Sequence, residues 1–295
     1  MATNGSPRAR ALAAALREAR KERSISLREV ARKLSIDQSH LSKIETGKRI
    51  PSVETTAMIL AVLGIAPSER ERILDLAKNA SEPNWLTVGM PGIPQQLAGA
   101  VESERAASAV VHWSPMIMPG LLQTADYVRA VATADGLPTH EVESRVMVRL
   151  ARREVLTRRD PGKFDVLIGE VALRQPIGPP EVMVEQLRYL IKASDEFPNV
   201  DLRVVPTRVG WHPGTAGPFV LYEFPDSPPF VHFEHYSSGA FVTNSDDIEA
   251  YRKAVAKISK YAYSHADSVG FIGQVIVEEY HKNGTREQLA QEFIQ

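Results

Sequence analysis

The stretch I-S-L-R-E-V-A-R-K-L-S-I-D-Q-S-H-L-S-K-I-E-T-G-K-R-I-P-S, from Ile25 to Ser52, reads as two short amphipathic helices about a tight turn. Ser26 with Glu29 three places on has the form of a capping box, which starts the first helix at Leu27, and apolar spacing carries it to about Leu34. Ser35-Ile36-Asp37 forms the turn. Asp37 stands where an N-cap belongs, and the second helix runs from Gln38 to about Thr46, stopped by Gly47 at the position that takes a left-handed backbone. At about 100° per residue, Leu41 and Ile44 fall on one side of this second helix. Ser39, Ser42, Lys43 and, at the edge, Gln38 fall on the other. One side packs, and the other is free to enter a DNA major groove.

The flanking sequence extends this pair to a five-helix bundle. Leu12 to Leu16 is an apolar run between arginines and reads as a first helix. Ser52 to Leu63 carries Val53, Ala57, Leu60 and Ala61 at helical spacing and ends at Gly64, while Pro67 to Ala80 begins with proline in its first turn. Residues 8–80 resemble the xenobiotic-response-element type of helix-turn-helix, the lambda-repressor-like group that includes phage repressors. The resemblance rests on "S-x-x-E-V-A-x-x-L-S … S-H-L-S-K-I-E-x-G-K-R-x-P-S". It implies that Gln38, Ser39, Ser42 and Lys43 face base edges and that Lys48 and Arg49 lie on backbone phosphates. His40, at the shoulder of the helix, is either a DNA contact or a packing residue. Many members have glutamine two residues before the helix-two glutamate; this chain has Leu27 there, which leaves Ser26 or Arg28 to make that contact.

Charge divides the chain in the same place. Residues 1–80 hold 15 Lys and Arg against 9 Asp and Glu, which leaves 20 against 27 from the totals of 35 and 36 for residues 81–295. A basic first quarter suits phosphate contact, and an acidic remainder is repelled from DNA. A length of 295 residues with 43% hydrophobic content accommodates the bundle plus one larger globular domain. With no cysteine there is no disulfide, thiolate metal site or Cys nucleophile, a composition suited to a reducing cytoplasm. No run reaches the roughly 18 apolar residues of a membrane helix, so a soluble, cytoplasmic protein is expected.

Residues 81–96 read as a linker, because 81–97 hold three prolines and two glycines, with Trp85 packed on one domain. The rest, 97–295, reads as an α+β domain of mixed order. Helices are expected at 97–109, 141–157, 181–193 and 246–267, and strands at 110–113, 164–168 and 200–205. Residues 219–224 and 230–236 form a hairpin about Pro225 to Pro229. The pieces "W-S-P-M-I-M-P-G-L-L-Q-T-A-D-Y-V-R-A", "R-L-A-R-R-E-V-L", "G-E-V-A-L-R", "E-Q-L-R-Y-L" and "N-V-D-L-R-V-V-P … G-W-H-P-G-T-A-G-P-F-V-L-Y-E-F" resemble the C-terminal domain of antitoxin-like regulators common in filamentous actinobacteria. That resemblance implies a cytoplasmic transcriptional regulator, often encoded beside a small partner protein.

Several features of this domain have both a structural and a functional meaning. Arg145, Arg149, Arg152 and Arg153 recur at helical spacing, as a solvated face or a partner-binding stripe. Trp113, Tyr127, Trp211, His212 and Tyr222 would line an effector pocket if they enclose one. Thr124 after Pro119-Gly120 either caps a helix or opens an anion site. Glu170 and Arg174, four apart, form a local ion pair. His232 and Glu234 share one side of a strand and His235 the other, so the three do not converge on a metal. There is no G-x-S-x-G, phosphate-binding glycine loop or HExxH, and no cofactor is implied. The reading is a homodimeric regulator of a double-stranded DNA operator, whose second domain receives a small protein encoded by an adjoining gene. The alternatives are a small-molecule effector in that domain and, third, an enzyme fused to the DNA-binding domain.

Overall fold

A computed structural model describes residues 7–78, 85–88, 103–234 and 238–281. The first part is helical: α1 (Pro7–Glu22), α2 (Leu27–Leu34), α3 (Gln38–Glu45), α4 (Val53–Leu63) and α5 (Pro67–Lys78). Local chemistry sets these boundaries. Ser26 Oγ accepts from Glu29 N at 3.2 Å, Ser52 Oγ accepts from Thr55 N at 3.1 Å, and Gly64 closes α4 at φ 63°. Asp37 occupies the N-cap position of α3 with extended backbone, but its exposed side chain makes no capping bond. The bundle core is formed by Leu12, Leu16, Val30, Leu41, Ile44, Ile59, Leu60, Ile73 and Leu76, all at most 1% exposed. Each such side chain contributes about 1.5–3 kcal/mol on burial.

The chain divides into two compact units that do not follow its linear order: 1–107 with 222–249, and 108–221 with 250–295. Two of the three divisions fall inside β5 (Phe219–Glu223) and inside the helix Ser245–Tyr261. In the first unit β1 (Trp85–Val88) lies within the stretch read as linker. It pairs antiparallel with β7 (Ser238–Val242), Trp85 opposite Phe241, and β7 pairs antiparallel with β6 (Phe230–Glu234). The W-L-T-V between the prolines and glycines is strand-forming sequence, which punctuation alone did not reveal. Likewise β7, made of S-G-A-F-V, was not anticipated, since its small residues give no clear alternation.

In the second unit β2 (Ala109–Ser114), β3 (Lys163–Gly169) and β4 (Val200–Val205) run parallel in the order β2-β3-β4, with β5 beside β2. The architecture is therefore a helical helix-turn-helix region followed by an α+β region with a mixed sheet. Around the strands are α6 (Ala125–Ala134), α7 (Thr139–Ala151), α8 (Glu154–Thr157), α9 (Glu170–Arg174), α10 (Pro180–Glu196), α11 (Ser245–Tyr261) and α12 (His265–Val275).

Two helices expected to be continuous are broken. The helix anticipated over 141–157 ends at Ala151 and restarts at Glu154, because Arg153 turns inward: its Nη2 donates to Gln123 O and its guanidinium lies 4.4 Å from the Tyr189 ring centroid. The one anticipated over 246–267 breaks after Tyr261. There Tyr263 N donates to Val204 O at 2.9 Å, and Val204 N donates to Ser268 Oγ at 2.9 Å. The corner between α11 and α12 thus satisfies both backbone groups at the end of β4. The segment 97–102 and His235 lie outside the described residues.

Candidate nucleic-acid interface

α3 divides its side chains as a groove-reading helix must. Leu41 and Ile44 are fully buried, Gln38, Ser39 and Lys43 are exposed, and His40 and Ser42 are half-buried. Thr46 Oγ1 donates to Ser42 O at 2.8 Å, and Gly47 turns the chain at φ 72°. A Cβ built on Gly47 would lie 3.8 Å from Ala13 and from Arg10, so space permits a side chain there while the backbone does not favour one. Lys48 and Arg49 follow, both exposed, with Arg49 N donating to Lys43 O at 3.0 Å. Arg28 is exposed in the first turn of α2. The fold therefore gathers Gln38, Ser39, His40, Ser42, Lys43, Lys48 and Arg49 on α3 and its C-terminal flank, with Arg28 on the preceding helix.

A residue with no role assigned from sequence holds this helix. Glu45 is 4% exposed, and it receives two hydrogen bonds from Arg20 on α1: Nε to Oε1 at 2.7 Å and Nη2 to Oε2 at 2.8 Å. Arg20 Nη1 also donates to Ile25 O at 3.0 Å, tying α1 to the approach of α2. The hydrogen bonding of Arg20 to the Glu45 carboxylate raises the Arg20 pKa further above its ordinary value, against the effect of burial. A fork of two parallel bonds fixes orientation as well as distance. The signal was present in the sequence: Glu45 lies four residues after Leu41, on the apolar side of the helix, where a carboxylate requires a cation.

The second set of singled-out residues is dispersed. Trp113 is buried in β2, with Nε1 donating to Gly214 O at 2.8 Å, and its ring meets His212 edge-on at 5.4 Å. His212 is buried, and its Nδ1 accepts from Gly214 N at 3.2 Å; burial lowers its pKa. Tyr127 is fully buried, its hydroxyl accepts from Met118 N at 3.2 Å, and burial pushes its pKa up to about 12. Trp211 is 77% exposed, and Tyr222 belongs to the other unit, against Phe224 and Phe230. Thr124 caps α6, accepting from Tyr127 N at 3.3 Å, and its own N–H goes to Gln186 Oε1.

The arginines separate too. Arg145 is exposed, Arg149 and Arg152 are half-buried near Gly120, and Arg153 is bonded inward. Glu170 and Arg174 form the expected pair at 2.8 Å, extended by Glu278 and Glu279. His232 is buried and stacked on Phe241 at 4.4 Å, whereas Glu234 is exposed. Among the described residues no group of three or more His, Cys, Asp or Glu is placed to hold a metal ion. None of their helices is long and apolar enough to cross a membrane.

Comparison with protein families gives two matches. Residues 16–70 match the helix-turn-helix family, and residues 97–274 match a domain of unknown function, DUF5753. None of the curated proteins matches the chain.

Proposed function

The chain belongs to the DUF5753 family, and from that premise, with a helix-turn-helix ahead of the domain, we propose that this DNA-binding regulator is a homodimer reading two half-sites of an operator. In this reading α3 enters the major groove. Gln38, Ser39, Ser42 and Lys43 meet base edges, and Lys48, Arg49 and Arg28 meet phosphates. The observation that carries it is the division of α3 into a fully buried Leu41–Ile44 side and an exposed polar side, on a helix clamped by Arg20 and Glu45. A single recognition helix reads too few base pairs to select a genomic site, and pairing doubles the contacts.

The α+β region receives a small protein partner, in the manner of an antitoxin-like regulator. Supporting a protein over a small effector, Trp113 and Tyr127 are buried and bonded to backbone, while Trp211 and Met147 are exposed, at 77% and 72%. The protein is accordingly read as a cytoplasmic regulator and not as an enzyme.

The test begins by selecting a duplex from a randomised pool with the full-length protein. Gln38→Ala and Ser39→Ala should relax base preference, each good contact being worth about 1–3 kcal/mol, while Lys48→Ala and Arg49→Ala should weaken binding to every sequence and shallow its salt dependence. If all four variants lost only general affinity, α3 would not be the base reader. Light scattering and titration with the product of an adjoining gene test the remaining parts; a monomer that binds the selected duplex at full affinity would sink the dimer.

A further inference from the structure

The first compact unit contains a contact that the DNA-reading assignment does not use. The loop between β5 and β6, with the sequence F-P-D-S-P-P from Phe224 to Pro229, lies against the helix-turn-helix within that unit. The Arg10 guanidinium on α1 sits 3.7 Å from the Phe224 ring centroid, and its Nη2 donates to Ser227 Oγ at 2.5 Å. Lys48 Nζ is 3.8 Å from Asp226 Oδ2.

We infer that the loop 224–229 is an intramolecular clasp that places the Asp226 carboxylate on Lys48 where a DNA phosphate would bind, so that the loop and DNA compete for the same cation. The inference rests on the reading of Lys48 as a phosphate contact.

Three observations support competition over a merely structural contact. First, the chemistry matches: a carboxylate oxygen and a phosphate oxygen are the same kind of acceptor for a lysine ammonium. Second, the pair lies at the rim, with Lys48 65% and Asp226 76% exposed, so water and salt weaken it and DNA can displace it. A buried pair would be a lock, whereas this one is a reversible latch. Third, the segment 222–249 carries Glu223, Asp226, Glu234, Asp246, Asp247 and Glu249 with no Lys or Arg, and it shares a compact unit with a bundle of net positive charge. Screening over roughly 8–10 Å makes Asp226, the carboxylate in contact, the one that matters for Lys48.

The rest of the loop suits the task. Pro225, Pro228 and Pro229 restrict its backbone, so docking costs little conformational entropy. Phe224 and Ser227 hold the clasp through Arg10 when Asp226 lets go, so one electrostatic contact can open while the loop stays near. Anything that favours the open loop raises DNA affinity without touching α3.

The experiment uses full-length protein and two 30-base-pair duplexes, one selected by the wild type and one of random sequence, with fluorescence anisotropy at low and at physiological salt. Asp226→Asn keeps size and removes charge at an exposed site, and a thermal melt checks its folding. It should tighten binding to both duplexes by about two- to fivefold at low salt, and by less at higher salt. In a Lys48→Ala background the same substitution should give no tightening. If Asp226→Asn leaves affinity unchanged while Lys48→Ala weakens it, the clasp is wrong and the phosphate assignment stands. If Asp226→Asn tightens binding equally in both backgrounds, the effect is general charge repulsion and the clasp is again overturned. If Lys48→Ala binds as well as wild type, the phosphate assignment itself has failed.

Discussion

The helix-turn-helix and the unit formed by 108–221 and 250–281 use charge in opposite ways. On α3 the polar side chains Gln38, Ser39 and Lys43 face water, and the buried carboxylate Glu45 exists to hold the helix through Arg20. In the second unit charge is folded back onto the protein. Arg153 bonds Gln123 O and covers Tyr189, Arg174 meets Glu170, Glu278 and Glu279, and Glu170 accepts from both Thr207 N and Thr207 Oγ1. Those contacts hold the Glu170 pKa below its ordinary value although burial alone would raise it. A side chain already bonded within its fold must give up that bond before it meets a ligand, while an exposed one only sheds water. Residue type therefore says little about a site until its present partners are known.

The largest loss is expected at Glu45. Replacing it by alanine leaves Arg20, 12% exposed, without its carboxylate, and removing one partner of a buried pair costs about 3–5 kcal/mol. Urea unfolding of the full-length protein should show this loss, and DNA affinity should fall with it although Glu45 touches no base. A loss under about 1 kcal/mol would mean that α3 is held by packing alone. The matching test in the second unit is Gly169→Ala. A Cβ there would lie 2.5 Å from the Pro115 carbonyl oxygen, a backbone atom with little freedom to retreat, and overpacking of this kind costs about 1–3 kcal/mol. Here stability should fall while DNA affinity per folded molecule stays the same; a coupled loss of affinity would show that the two regions are not separable in function.

These two positions also show what sequence could and could not reveal. The helix-turn-helix was legible because each decisive signal acts within about four residues: Ser26 on Glu29, Gly47 after Thr46, Leu41 beside Ile44. Glu45 was legible in principle, as a carboxylate in an apolar stripe, but its partner lies 25 residues away on α1. The α+β class and β2, β3 and β4 were readable from apolar runs. The breaks at Arg152–Arg153 and at 262–264 were not, because distant acceptors, Gln123 O and Val204 O, create them. Trp113 and His212 illustrate the same limit: a Trp and a His near glycines suggest a pocket, and only the bonds of both to Gly214 show them bracing a turn.

His212 provides a pH test of that bracing. Burial lowers its pKa below the ordinary value of about 6.5, so on acidification the unfolded chain takes up a proton before the folded one. Its contribution to stability is complete above about pH 6.5 and is lost as pH falls through that value toward the depressed folded pKa. Each pH unit in which only the unfolded chain is protonated removes about 1.4 kcal/mol. Melting temperature should therefore drop more steeply between pH 7.5 and 5.5 for wild type than for His212→Asn, which keeps an acceptor for Gly214 N–H and cannot titrate. Parallel slopes would mean that the imidazole is hydrated in the folded protein.

The smallest effects should separate the arginines. Arg153→Ala removes a bond to Gln123 O and a cation–π contact with Tyr189, together about 1–2 kcal/mol. Arg145 is exposed on α7, and Arg145→Ala should leave stability within about 0.5 kcal/mol of wild type. Parallel urea unfolding of the two variants measures the difference. If they lose stability equally, Arg145 is part of the fold and cannot be offered to a partner. If only Arg153 matters, Arg145 is the member of the stripe whose charge can be spared by the fold, and binding assays with a protein partner should find its loss there first. The same residue type then divides into a brace and a contact, according to whether the fold already holds its side chain, as it holds Arg153.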